Sequence, residues 1–103
     1  MTAGLVAKSK AKDGSMLQIE ELVWDEQAEG HIARHGVSMW EVEEAVQNGL
    51  HARRSRQYLM LLCQTNAGRY LTLILDRLGH GQWYPVTARD MTRAERRLAN
   101  RGD

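Results

Sequence analysis

Residues 86–101, VTARDMTRAERRLANR, place five arginines in sixteen positions. Arg89 ends a β-branched apolar run, and Arg93, Arg96, Arg97 and Arg101 follow at helical spacing. A guanidinium is a planar fork of N–H donors that grips a phosphate or a carboxylate with two hydrogen bonds. The stretch therefore offers anion-binding chemistry, and the anion is either a ligand's phosphate or this protein's own carboxylates. Charge along the chain leaves both open. Residues 18–50 hold eight acids against Arg34 alone, a net of −7, whereas residues 51–103 hold ten arginines against four acids, a net of +6. The three lysines lie in the first 12 residues, so the second half is basic through arginine only. Read blandly, the two halves pair as a solvated surface. Read functionally, the arginines await a polyanion.

The other side chains with chemical capacity narrow the classes. His31 and His35 are spaced as helical metal ligands can be, but no third ligand stands at a diagnostic spacing, so no metal is expected. His51 opens a strand and is a candidate general base, being a residue that titrates near neutrality. Trp24, Trp40 and Trp83 read as core or partner-contact residues. There is no phosphate-binding glycine loop and no nucleophile elbow, which excludes a nucleotide-cofactor enzyme and an acyl hydrolase. What survives is metal-free, cofactor-free work on a phosphodiester, or binding alone. The lone Cys63 fits a reducing compartment. No apolar stretch nears the roughly 20 residues of a membrane span, and no secretory signal opens the chain. A cytoplasmic protein with no membrane partner is expected.

The elements that must position these residues can be read from periodicity. A chain of 103 residues is one domain. Residues 1–16 lack a sustained period and read as a flexible leader before a single domain over 17–103. LQIEELVW, residues 17–24, alternates as a first strand with Ile19 and Val23 opposite Leu22 and Trp24. Asp25 is placed to cap a helix that buries Ala28, Ile32 and the ring of His35 and stops at Gly36. Ser38 and Glu41 form a capping box for a second helix, with Val37 and Val42 as its hydrophobic staple. After Gly49 the period becomes that of strands separated by short glycine-bearing loops, which join antiparallel neighbours. Thr92 and Glu95 form a second capping box, opening a C-terminal helix. The expected fold class is α+β: a small antiparallel sheet with two N-terminal helices and a C-terminal helix, all on one face.

Alternation then assigns faces. Leu71, Leu73 and Leu75 should meet the helices, with Tyr84, Val86 and Ala88 beside them. Arg54, Tyr70, Thr72, Thr87 and Arg89 should line the open side together with Trp83. A slip of one residue in any strand reverses its assignment.

Three motifs in this order resemble the BrnT family of toxins. They are the opening Trp24-Asp25, the turn Arg34-His35-Gly36-Val37 leading to Ser38 with Glu43 and Glu44, and the ending VTARDMTRAERR. The central AGRYLTLIL is similar as well, and the resemblance covers residues 19–98. The segment QNGLHARRSRQYL is shorter than in many members, and the leader is outside the pattern. The resemblance implies a RelE-like fold and a type II toxin–antitoxin role. The toxin would be a metal-free endoribonuclease acting on RNA, including ribosome-bound mRNA, to inhibit translation. A cognate antitoxin would neutralise it, within an oligomer of the two. In such a reaction the ribose 2′-hydroxyl attacks the neighbouring phosphate, which calls for proton transfer and for cations at the phosphate oxygens. Arg54 and Arg89 are the candidate cations, and Tyr70 and His35 the candidate proton-transfer groups. Arg56, Arg69, Arg93, Arg96 and Arg97 are the candidate RNA-backbone contacts. The alternative is a degenerate, non-catalytic relative that pairs with an antitoxin and assists its autoregulation on DNA.

Overall fold

The computed structural model describes residues 7–10 and 16–101, with side chains from residue 18 onward. Strands β1 (Ala7–Lys10) and β2 (Met16–Ile19) pair antiparallel as a separate two-stranded ribbon. Ala7–Lys10 falls in the stretch expected to be a flexible leader. Main-chain groups pair whatever the side-chain period, so the missing hydrophobic pattern gave no sign of this strand. Residues 1–6 and 11–15 of that leader lie outside the described residues.

The strand expected over 17–24 breaks at Glu20, and β3 (Glu21–Leu22) follows. The amides of Glu20 and Glu21 both donate to the carbonyl of Gly81, at 2.8 and 3.0 Å. Ile19 and Leu22 are three apart, so a continuous strand would send them to opposite faces. The break lets both enter the core, where they are 0% and 2% exposed.

Helix α1 (Glu26–Ala33) starts where expected, with the Asp25 carboxylate accepting from the Ala28 amide at 2.8 Å. Gly36, at φ +72°, makes the left-handed turn that ends this segment. Helix α2 (Met39–Ala45) carries both halves of the Ser38–Glu41 capping box, and Val37 and Val42 are both buried.

Strands β4 (Gly49–Ser55), β5 (Tyr58–Gln64), β6 (Tyr70–Gly79) and β7 (Gln82–Asp90) form an antiparallel meander, and β3 joins β7 in parallel. The five-stranded order is β3-β7-β6-β5-β4, so the sheet is mixed rather than antiparallel throughout. Residues paired across strands share a face. On one face Ala52, Leu61, Leu73 and Ala88 form a row, flanked by Leu59, Leu75, Cys63 and Leu71. These meet Ile32 of α1 and Val42 and Ala45 of α2 to make the core. On the other face His51, Leu62, Thr72 and Arg89 form one row, and Arg53, Met60, Ile74 and Thr87 the next. Helix α3 (Arg93–Ala99) covers the first of these rows, where Leu62 and Thr72 are fully buried. Helices therefore flank both faces, not one. Among the described residues, no helix is long and apolar enough to cross a membrane.

One irregularity corrects the expected facing of β7. Ile74 pairs with Thr87 but Leu75 pairs with Pro85, leaving Val86 as an extra residue. Such a bulge inverts the alternation beyond it. Trp83 is therefore 4% exposed and in the core, where an outward position was expected. Pro85 lies past the end of the short β3, on a side where β7 has no neighbour to receive a donor.

Candidate nucleic-acid interface

Helix α3 is built to present arginines. The Thr92 hydroxyl accepts from the Glu95 amide at 3.1 Å, and the Glu95 carboxylate accepts from the Thr92 amide at 2.9 Å. This box fixes the helix start, and Glu95, Leu98 and Ala99 turn towards the sheet, with Ala99 buried. Arg93, Arg96, Arg97, Asn100 and Arg101 recur at the opposite helical spacing. With Met91 they line a shallow concavity of about 600 Å³.

Glu95 joins this helix to the sheet. Its Oε1 accepts from Thr72 Oγ1 at 2.8 Å and from Arg89 Nη1 at 2.8 Å, while Oε2 accepts from Arg89 Nη2 at 2.9 Å. Hydrogen bonds from Arg89 hold the Glu95 carboxyl down at about 2, against a burial that pushes it up. Arg89 lies on the expected face beside Thr72, but its fork is closed on Glu95 and on the Asp90 carbonyl.

Arg69 is engaged in the same way on the other side of the sheet. It donates to Asp90 at 2.9 Å, to Glu41 at 3.2 Å and to the Gly36 carbonyl at 2.9 Å, tying the turn between α1 and α2 to the end of β7. Arg69 and Arg89 thus serve the protein's own carboxylates. Arg93, Arg96, Arg97 and Arg101 make no ion pair among the described residues. Arg96 instead lies over the Tyr70 ring, 4.6 Å from its centroid, a cation–π arrangement. The Tyr70 hydroxyl donates to Asn100 Oδ1 at 3.3 Å.

The structure thus brings Tyr70, Arg89, Arg93, Arg96 and Arg97 to one end of one face. It does not bring Arg54, Arg56 or His35 there. Arg54 pairs with Leu59 and so stands on the α1–α2 face, while its neighbour Arg53 takes the face assigned to it. Arg56 sits at φ 59° in the β4–β5 turn. That turn is at the end of the sheet away from Tyr70, about 20 Å along β5 at strand rise. His35 is exposed at the α1–α2 turn, beside the Gly36 carbonyl held by Arg69, not buried with Ala28 and Ile32. Its ring meets that of His31 edge to face at 5.6 Å. No group of three His, Cys, Asp or Glu among the described residues is placed to hold a metal ion. His51 is 4% exposed in the row under α3, where a substrate has no access to it.

Sequence reading did not single out Asn100 and Met91. Extending the spacing of Arg93, Arg96 and Arg97 by one turn reaches Asn100 and Arg101, so the signal for Asn100 was present. Compared with protein families, with curated proteins and with solved structures, the chain has no match.

Proposed function

We propose that this protein is a toxin-type ribonuclease of the BrnT kind, RelE-like in fold, which holds RNA on the arginine face of α3 and cleaves a phosphodiester beside Tyr70. One observation carries the reading: four arginines of one helical face, none paired with a carboxylate among the described residues, surround a concavity next to a tyrosine. Arginines whose forks are not already closed are the ones a phosphate backbone can use. In the reaction the ribose 2′-oxygen attacks phosphorus and the P–O5′ bond breaks. The 2′-proton is lost and the 5′-oxygen gains one, leaving a 2′,3′-cyclic phosphate and a 5′-hydroxyl. Tyr70, whose hydroxyl donates to Asn100 in the lining of the concavity, handles one of these protons, and the arginines offset the charge that grows on the phosphate oxygens. The cognate antitoxin is the partner that would suppress this activity.

Arg89 favours a second reading. Its fork is occupied by Glu95, which suits a non-catalytic module that binds RNA or an antitoxin and cuts nothing. The purified chain incubated with end-labelled RNA in EDTA separates the two. Fragments ending in 2′,3′-cyclic phosphate, absent for a folded Tyr70→Phe variant, support the ribonuclease. RNA that is bound but intact supports the binding module. RNA that is neither bound nor cut overturns the ribonuclease and leaves only a module that binds an antitoxin.

A further inference from the structure

Helix α3 covers only part of its face of the sheet. The row His51, Leu62, Thr72 and Arg89 is shielded by α3, yet the next row, Arg53, Met60, Ile74 and Thr87, is not. Beyond it lie Ser55, Tyr58, Asp76 and Tyr84. Met60 and Ile74 are half-buried, Tyr58 is 40% exposed, and Val86, the extra residue of the bulge, is 36% exposed. Apolar side chains from three adjacent strands therefore form a strip that no element among the described residues covers. A contiguous strip of this kind marks an interaction surface more often than scattered exposed residues do.

Its dimensions fit a helix. Two rows spaced by two residues each leave about 10–13 Å along the strands, the diameter of a helix with its side chains. The four strands β4 to β7 span about 14 Å at their usual spacing, or roughly ten helical residues. Helix α3 on the neighbouring row shows that this face accepts one.

The surrounding charge states what kind of helix. Arg53 stands in the strip and Arg56 on the turn beside it, both exposed and neither ion-paired among the described residues, with the arginines of α3 on the same side of the sheet. Asp76 is the one carboxylate in the two rows. A second copy of the chain does not supply the occupant from its described helices. The apolar stripe of α1 and α2, Ala28, Ile32, Val42 and Ala45, is buried in their own core, and Ala99 of α3 lies against its own sheet; Trp40, 67% exposed, is the one large exposed hydrophobic on these helices and makes no apolar face by itself.

We propose that this strip docks an acidic amphipathic helix of about three turns from a partner protein, seated beside α3. The proposal stands whether or not the protein cleaves RNA.

The experiment uses the full chain and two labelled 18-residue peptides with leucines at i, i+3, i+4 and i+7 spacing, one otherwise rich in glutamate and the other in lysine. Fluorescence anisotropy should show the glutamate peptide binding more weakly as salt is raised, and the lysine peptide not binding. Tyr58→Glu and Ile74→Glu should each weaken binding at least tenfold. Tyr58 is exposed enough to keep the test valid if Ile74→Glu unfolds, as thermal melts would reveal. Equal binding of both peptides, no binding of either, or unchanged affinity in a folded Tyr58→Glu variant overturns the proposal. So does a wild-type dimer in sedimentation that Tyr58→Glu dissolves, which would assign the strip to a second copy.

Discussion

Replacing Glu95 with glutamine removes a charge from the joint between α3 and the sheet while keeping its shape. Glutamine still accepts from the Thr92 amide and the Thr72 hydroxyl, so the capping box survives. What is lost is the two-pronged pair with Arg89, at 2.8 and 2.9 Å. The carboxyl stands at about 2 against an ordinary 4.5, a difference that corresponds to about 3 kcal/mol at 1.36 kcal/mol per pH unit. Arg89 is 36% exposed, and solvent screening of a pair with one such member cuts the contribution to about 1–2 kcal/mol. At about 4–8 °C per kcal/mol for a domain near this size, Glu95→Gln should lower Tm at pH 7 by roughly 5–15 °C. The sign with pH follows from the depressed carboxyl. Its contribution is full above about pH 4.5 and is lost as pH falls towards 2. Thermal melts of both proteins by circular dichroism, taken from pH 7 down to pH 2, should therefore converge in acid. Other carboxylates held low, such as Asp25 and Glu41, titrate alike in both chains and cancel in the difference. Equal Tm values at pH 7, or a gap unchanged at pH 2, would refute the role given to this pair.

Four further outcomes test the account elsewhere. Cys63 is buried and its thiol pushed up to about 12, so a thiol reagent at pH 8 should leave the native chain unlabelled and label it fully once denatured. Gly81→Ala should destabilise the fold by about 1–3 kcal/mol in urea unfolding, because φ is +76° and a Cβ there would lie 2.7 Å from Glu20 Oε1. Gly30→Ala, with nothing within 4 Å of its new methyl, should stabilise α1 by up to about 1 kcal/mol in the same assay. Arg89→Lys keeps the charge but loses the fork that closes on Glu95, so it should lower Tm at pH 7 by a few degrees in the thermal melts used for Glu95→Gln.

Local signals in the sequence held wherever the chemistry was local. Asp25, Ser38 with Glu41, and Thr92 with Glu95 cap the helices they were expected to cap, because a cap involves residues only three apart. Leu71, Leu73 and Leu75 reached the core because β6 is regular along that stretch. Facing failed where regularity failed. The extra Val86 turned Trp83 inward, and the break at Glu20 let Ile19 and Leu22 share one side. Neither leaves a mark on hydrophobic alternation, since each is settled by pairing with a distant segment. The placement of Arg54 failed for a related reason: Arg53 and Arg54 are chemically identical, and only register with Leu59 and Met60 decides which one stands with Tyr70. The closing of Arg69 on Glu41 was likewise invisible, because the two lie 28 positions apart in the chain.

The central claim is that the α3 arginines form an RNA-backbone contact surface. The most direct measurement is affinity for a single-stranded RNA oligonucleotide as a function of salt, for the native chain and for a folded Arg93→Ala/Arg96→Ala/Arg97→Ala variant. Each phosphate contact in a single strand adds about −0.7 to the slope of log K against log salt, so three lost contacts should flatten it by about 2. A flatter slope with weaker binding is the result this account predicts. An unchanged slope and affinity in the folded triple variant would contradict it.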